Sequence, residues 1–95
     1  MTVPDRADSA NRAEIVAQLR PALLAASNGR ARVDELSDEA RIIEDVGLAS
    51  LDLLELRCEL EERWQTRITD EEAVRLRTIG DVVNLIQARG GGAGA

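Results

Sequence analysis

The chain lacks several residue types on which common active sites depend. Its 95 residues include no histidine, no tyrosine, no phenylalanine and no lysine, and a single cysteine. Without histidine there is no imidazole general base, no imidazole metal ligand and no serine–histidine triad. One thiol, Cys58, cannot form an internal disulfide or a multi-thiolate zinc site. We therefore predict that the protein is not an enzyme and holds no metal.

Long apolar runs and basic clusters are also lacking. No apolar run approaches the roughly 20 residues that a membrane span needs, and the N-terminal residues have no apolar core of a secretory signal. The net charge is −6 and Trp64 is the single aromatic residue, which argues against nucleic-acid binding. These features predict a cytoplasmic monomer that binds neither nucleic acid nor a membrane.

The composition favours helices in one small domain. Apolar residues make up 44% of the chain and are mainly aliphatic, which suits a core between helices. The first helix is predicted to start at Ser9, with Asp8 or Ser9 as its cap, and to stop at Asn28-Gly29. Pro21 lies inside it and should kink it near residues 17–21 without dividing it. Its apolar positions have helical spacing: Ile15, Val16, Leu19, Leu23 and Leu24.

The remaining helices follow a long connection over residues 30–46. The second is predicted over residues 50–64 and the fourth over residues 78–88. A short third helix over residues 69–76 starts with a capping box, in which Thr69 and Glu72 cap each other's backbone N–H groups. Five apolar residues should hold the connection against the core, and a short helical turn is possible near residues 37–40: Val33, Leu36, Ile42, Ile43 and Val46.

The predicted fold is therefore all-α, a four-helix bundle with a short third helix. Residues 1–8 are predicted to be a disordered lead and residues 90–95 a flexible Gly-rich tail. One face of the fourth helix should be buried: Ile79, Val82, Val83 and Ile86.

The second helix has two apolar stripes. The wider stripe comprises Leu53, Leu56, Leu60 and Trp64 and should face the core. The narrower stripe comprises Leu51, Leu54 and Cys58 and is flanked by acidic residues. A helix at the centre of a bundle can be buried on both sides, and an exposed apolar stripe with an acidic rim can dock a partner. Residues 44–62 hold seven acids and one arginine, whereas the rest of the chain holds equal numbers of both. This concentration of charge favours docking of a basic partner.

Ser50 lies where a loop leads into this helix. Its hydroxyl could cap the helix. The N–H groups at a helix start also suit an anion, so a phosphate ester on Ser50 would be stabilised there. Gly47 would allow a tight turn just before it. The chain offers no base to activate the hydroxyl, so that another enzyme would have to modify it.

Three segments between about residues 42 and 86 resemble acyl carrier proteins: IIEDVGLASLDLLEL, ELEERWQTRITDEEA and TIGDVVNLI. In that family a transferase moves phosphopantetheine from coenzyme A to a serine that is followed by leucine, and the match here is Ser50 with Leu51. The family usually has aspartate before the serine, where this chain has Ala49, which removes one charge contact with the transferase. The resemblance implies an acyl-carrier-protein-like carrier domain over residues 9–89.

The resemblance also implies a cofactor, a cargo and partners. Covalent 4′-phosphopantetheine on Ser50 would carry acyl or polyketide intermediates as thioesters, for fatty acid, polyketide or similar biosynthesis, on a discrete subunit. The partners would be a phosphopantetheinyl transferase and acyl-loading, condensing or tailoring enzymes with basic docking patches. Six residues would meet these partners by position: Leu51, Asp52, Leu54, Glu55, Cys58 and Glu62.

Two alternatives remain open from the sequence. One is a peptidyl or aminoacyl carrier, which would use the same serine for a different cargo. The other is an unmodified helical interaction protein that uses the acidic face of the second helix, an interpretation that Ala49 keeps open.

Overall fold

The first helix begins earlier than the sequence predicts. The computed structural model describes residues 4–89, with side chains described from residue 11 onward, so the predictions for residues 1–3 and for the tail at 90–95 lie outside the described residues. Helix α1 spans Pro4–Ala26. Residues 4–8, predicted as part of a disordered lead, are its first turns, and the predicted cap at Asp8 or Ser9 is wrong. Proline suits a first helical position because its ring presets a helical φ and its missing N–H has no partner there. The residues that follow Pro4 are polar and show no apolar periodicity, so the sequence did not predict these first turns of α1.

Helix α1 continues through Pro21 as one helix, as predicted. Both Pro21 and Ala17, whose carbonyl would have accepted the missing proline N–H, are exposed, so that water can satisfy the carbonyl. The kink itself stays a prediction. The predicted stop is confirmed, because Asn28 and Gly29 have φ angles of 55° and 83°. The Gly29 N–H donates to the Leu24 carbonyl at 2.7 Å, which closes the helix end.

Three further helices complete an all-α fold, and the described residues contain no strand. Helix α2 spans Asp52–Trp64, α3 spans Asp70–Ala73 and α4 spans Ile79–Ala88. The core lies between α1, α2 and α4. The predicted face of α4 is confirmed, and Val16 and Leu24 of α1 pack at the core margin. The core side chains of the three long helices are almost fully buried: Ile15, Leu19, Leu23, Leu56, Leu60, Ile79, Val82, Val83 and Ile86.

The connection between α1 and α2 is held against the core largely as predicted. Leu36, Ile42 and Val46 are buried and Val33 is partly buried. Ile43 is 44% exposed, so its prediction as a core contact is wrong. Residues 42–45 form a hydrogen-bonded turn, in which adjacent side chains point in different directions, and Ile42 already occupies the core side. Residues 37–40 form a single turn, closed by a 3.0 Å hydrogen bond between the terminal backbone groups.

The N-terminal ends of α3 and α4 are both capped by reciprocal hydrogen bonds. The predicted box on α3 is confirmed: the Glu72 N–H donates to Thr69 Oγ1 at 3.1 Å, and the Thr69 N–H donates to Glu72 Oε1 at 3.0 Å. The backbone hydrogen bond from Thr69 lowers the pKa of Glu72. Helix α3 ends at Ala73, three residues before the predicted end. Thr78 and Asp81 form a second box on α4, which the sequence analysis did not identify.

Candidate functional site

Helix α2 begins two residues later than predicted, and Ser50 does not cap it. Ser50 and Leu51 lie in a turn, and the residue before the helix, Leu51, has no side-chain capping hydrogen bond. The turn is held from inside the helix instead. Asp52 Oδ2 accepts the Ala49 N–H at 2.8 Å, and the Asp52 N–H donates to the Ala49 carbonyl at 2.9 Å. A carboxylate within α2 therefore holds the turn by accepting an N–H that precedes the helix, and no side chain caps the first N–H groups of α2 as the serine hydroxyl was predicted to do.

The same Asp52 oxygen also accepts a hydrogen bond from Arg30. The two atoms are 2.8 Å apart, and the Asp52 side chain is only 14% exposed. Arg30 directly follows the two positive-φ residues that end α1, so the end of one helix is tied to the start of the next. Asp52 was predicted to contact partners, but its carboxylate is occupied within the chain.

The Ser50 side chain is exposed and makes no hydrogen bond within residues 11–89. Gly47, three residues earlier, has a φ of 95°, which confirms the tight turn predicted before the serine. The backbone N–H groups of Ser50 and Leu51 make no hydrogen bond within the described residues either. A phosphate ester on this hydroxyl would therefore have free N–H donors and a favourable helix dipole beside it. The residues present fit such a group.

The narrow apolar stripe of α2 faces solvent. Leu51 is 78% exposed, Leu54 is 62% exposed and Cys58 is exposed. The interpretation that α2 is buried on two sides is therefore wrong. The wide stripe faces the core as predicted, with Leu56 and Leu60 buried and Leu53 and Trp64 partly buried against it.

The acidic residues around this stripe differ in availability. Glu59 pairs with Arg63 at 3.1 Å. Glu55 and Glu62 are exposed and have no ion pair within residues 11–89. They are therefore the carboxylates of the predicted docking face that remain free for a basic partner.

Two residues outside α2 extend the exposed apolar surface, and neither was predicted from the sequence. Val74 directly follows α3 and is 71% exposed, and Ile43 lies in the connection. Capping residues predicted the start of α3, but Val74 lies beyond the end of this four-residue helix, so no helical period indicates where its side chain points. No local pattern indicated that these residues flank α2.

A cavity of about 200 Å³ opens beside Ser50, which is one of the residues that line it. Its walls are mostly aliphatic side chains of α2 and of the segment at α3. A neighbouring hollow of about 460 Å³ shares five of these residues: Ile42, Leu53, Ala73, Val74 and Leu76. The hollow also has three charged residues in its lining, Arg41, Glu44 and Arg77, so that Ser50 borders the more aliphatic of two adjoining spaces beside α2 and α3.

Other kinds of site find no support within the described residues. No three metal-ligating side chains cluster within residues 11–89. None of the helices in the described part of the chain is long and apolar enough to cross a membrane.

Comparison with known proteins identifies the family. The family model for a phosphopantetheine attachment site matches residues 22–86, which include the Ser50 turn, all of α2 and α3, and α4 as far as Ile86. The chain belongs to the acyl carrier protein family. It is 44% identical over 54 residues to an acyl carrier protein of Wolinella succinogenes, with 57% of this chain and 71% of the relative covered. It is 49% identical over 53 residues to an acyl carrier protein of Campylobacter fetus, with 56% and 69% covered.

Membership of the acyl carrier protein family settles the cofactor and the general role. The chain is a carrier and not an enzyme, and its cofactor is covalently attached 4′-phosphopantetheine. A phosphopantetheinyl transferase attaches this arm, and the loaded carrier interacts with partner enzymes. The exposed hydroxyl of Ser50, which makes no hydrogen bond within residues 11–89, agrees with this role because another protein must reach it.

Proposed function

We propose that Ser50 carries the phosphopantetheine arm and that the arm's thiol holds acyl or polyketide intermediates as thioesters for delivery to partner enzymes. The observation that carries the proposal is the exposed Ser50 hydroxyl, without a hydrogen bond in residues 11–89, at the start of α2 inside the matched family segment. In the transfer, Ser50 Oγ forms a bond to the phosphorus that bears the pantetheine group. The pyrophosphate bond of coenzyme A breaks, and the nucleotide part leaves.

The serine proton must pass to a base of the transferase. This chain has no histidine, and the nearby Asp52 carboxylate already accepts two hydrogen bonds. The contribution of this chain is the geometry of the turn, which keeps the Ser50 side chain exposed. The arm then tethers the cargo at a high effective concentration near each docked partner.

Peptide mapping tests the attachment residue directly. After incubation with coenzyme A and a broad-specificity transferase, cleavage after arginine releases residues 42–57, in which Ser50 is the sole hydroxyl residue. We expect the intact protein to gain the mass of one phosphopantetheinyl group, and we expect that gain to lie in this peptide. A gain in any other peptide, or an unmodified chain with every transferase tried, would contradict the proposal. An unmodified chain would favour the helical interaction protein.

Docking is proposed to use the exposed stripe of α2 together with its free acids. Leu51, Leu54 and Cys58 offer apolar contact, while Glu55 and Glu62 offer charge that no residue in 11–89 neutralises. Charged residues at the rim of an interface act mainly on the rate and orientation with which two proteins meet, and dissolved salt screens their charges. Partners can therefore bind fast, exchange fast and take the cargo in turn.

Reversing the two free charges should slow transfer to partners. We expect Glu55→Lys with Glu62→Lys to lower kcat/KM for a partner enzyme about tenfold or more at low salt, because the rim would repel a basic patch. The difference should shrink as salt is added. Steady-state kinetics at several ionic strengths, with circular dichroism to check the helices, measure both effects.

A double variant elsewhere on the surface controls for net charge. Glu14 and Glu35 are exposed and lie outside α2, so Glu14→Lys with Glu35→Lys changes the total charge equally. We expect this variant to retain most of the transfer rate. An equal loss in both double variants would show that net charge matters and the α2 face does not.

The cavity beside Ser50 supports an apolar acyl cargo over an aminoacyl or peptidyl one. Its lining is mostly aliphatic, and it opens where the arm would be attached. A hydrocarbon chain would gain about 0.8 kcal/mol for each buried methylene, whereas a peptide would lose hydrogen bonds to water there. Fatty acid and polyketide biosynthesis both supply cargo of this kind.

A further inference from the structure

Arg57 stands out among the residues that line the cavity beside Ser50. Of the described residues in that lining, it alone carries a charge, and Ser50 is the other polar one. Its side chain is 27% exposed, so that most of it is covered. Placing a guanidinium in an aliphatic cavity wall costs free energy unless its N–H groups make hydrogen bonds. The partners that bond them show what this residue does.

The guanidinium of Arg57 bridges from α2 to the start of α3. Its Nη1 donates to Asp70 Oδ1 at 2.7 Å, and its Nη2 donates to the backbone carbonyl of Ile68. Glu61, one turn further along α2, accepts the Ile68 N–H at 2.8 Å. We call the contacts of Arg57 with Asp70 and Ile68 the Arg57 bridge. Arg57 also pairs with Glu61, but at a longer distance of 3.9 Å. The hydrogen bond with Asp70 raises the pKa of Arg57, whose guanidinium is protonated at any physiological pH.

Helix α3 packs only lightly: Ala73 is partly buried against the core, and the other apolar contacts come from its flanks, with Ile68 fully buried and Leu76 partly buried. None of its four residues is buried, and the segment that follows it exposes Val74. Elements with few buried apolar contacts open at low free-energy cost. Glu72 of α3 also pairs with Arg89, but neither of those residues lines the cavity. The Arg57 bridge is thus the polar contact that joins α3 to the cavity wall.

Movement of α3 would change the size of the apolar space. Ala73, Val74 and Leu76 line both the cavity of about 200 Å³ and the neighbouring hollow of about 460 Å³. If α3 moved away from α2, these side chains would move with it and the two spaces would merge. Arg57 lines the first space only, and its bridge ties Asp70, the first residue of α3, to α2.

We propose that Arg57 determines which cargo this carrier shelters from water. With the bridge formed, the cavity takes short acyl chains, and long chains enter fully only when the bridge opens. The inference rests on the proposed function, because cargo reaches this cavity from an arm on Ser50. Arg57 acts as a specificity-determining residue through its bridge to α3 and does not touch the thioester.

The first arm of the test uses the protein without cargo. Arg57→Met removes both hydrogen bonds and keeps an unbranched side chain of similar length. We expect amide hydrogen exchange of Ala73 and Val74, whose N–H groups donate to the carbonyls of Thr69 and Asp70, to speed up about threefold, as loss of an ion pair whose Asp70 side chain is 93% exposed allows. Asp70→Ala should act in the same direction. Arg63→Met, on the same helix but outside the cavity, and Glu71→Ala, also an acid of the first turn of α3, are the matched controls.

The second arm loads Ser50 with a series of acyl groups from butanoyl to hexadecanoyl and follows the melting temperature. In the wild type we expect the gain in Tm to rise with chain length and then level off. In Arg57→Met and Asp70→Ala the rise should continue to longer chains, while Arg63→Met and Glu71→Ala should match the wild type.

The outcomes separate this inference from the proposed function. If the chain loads normally but the gain in Tm levels off at the same chain length in Arg57→Met and in the wild type, the role of Arg57 is overturned. Unchanged amide exchange in Arg57→Met overturns the bridge, whatever is loaded. If no variant loads, the wild type included, the proposed function fails, and the exchange measurement still decides whether the bridge holds α3.

Discussion

Replacement of Ser50 with alanine is expected to abolish incorporation of phosphopantetheine altogether. The hydroxyl is the proposed nucleophile, and alanine leaves no atom to esterify. The fold should be unaffected, because this hydroxyl caps no helix and makes no hydrogen bond within residues 11–89. We expect the free energy of unfolding to stay within about 0.5 kcal/mol of the wild type. Intact-mass spectrometry after incubation with transferase and coenzyme A measures the loss.

Ser37→Ala provides the matched control for this experiment. Ser37 is also exposed and lies in the connection before α2, outside the peptide of residues 42–57. We expect it to load at the wild-type rate. Continued loading of Ser50→Ala would show that the arm is attached elsewhere, and unfolding of Ser50→Ala would show that the hydroxyl has a structural role.

Replacement of Leu60 with alanine is expected to cause the largest loss of stability among single changes to α2. Leu60 is 0% exposed and lies on the core side of the helix. Removing such a leucine side chain loses transfer free energy and leaves a cavity, at a cost of about 3–5 kcal/mol. Domains of this size have about 5–15 kcal/mol in total, so the variant should unfold at much lower urea. Urea titration followed by circular dichroism measures the change.

Leu54→Ala makes the same chemical change on the other face of α2. Leu54 is 62% exposed, and we expect its loss to alter the free energy of unfolding by about 0.5 kcal/mol or less. The same variant should weaken transfer to partner enzymes if the exposed stripe docks them. Similar destabilisation by Leu54→Ala and Leu60→Ala would contradict the assignment of the two faces.

Much of the fold could be predicted because local patterns specify it. The buried face of α4 follows from apolar residues three and four positions apart, and Thr69 with Glu72 is a capping signature within four residues. The Asn28-Gly29 stop is equally local, since both residues tolerate positive φ. These features need no information from distant parts of the chain.

The errors arose where distant residues decide the local structure. Ser50 was predicted to cap α2, but Asp52 holds the turn and is itself held by Arg30, which is distant in sequence. No pattern around Ser50 could show that partner. The first turns of helix α1 were not predicted for a different reason: they are polar and show no apolar periodicity.

The candidate site was predictable in part for similar reasons. The exposed stripe of α2 was recognised because acidic residues flank it, and a strongly acidic face is seldom buried. Val74, Ile43 and the Arg57 bridge were missed. They meet only when α3 and the connection pack beside α2, and a four-residue helix gives almost no periodic information about its orientation.

Every ion pair described on this protein uses arginine, and the sequence has no lysine at all. A thioester is an activated acyl donor, and a free lysine amine near it would attack its carbonyl carbon and capture the acyl group as a stable amide. Guanidinium groups stay protonated at any physiological pH and have no lone pair for such an attack. A flexible arm that moves across this surface therefore meets arginine side chains and no lysine amine. The acyl group on the arm is thus protected from transfer to lysine side chains of the carrier itself.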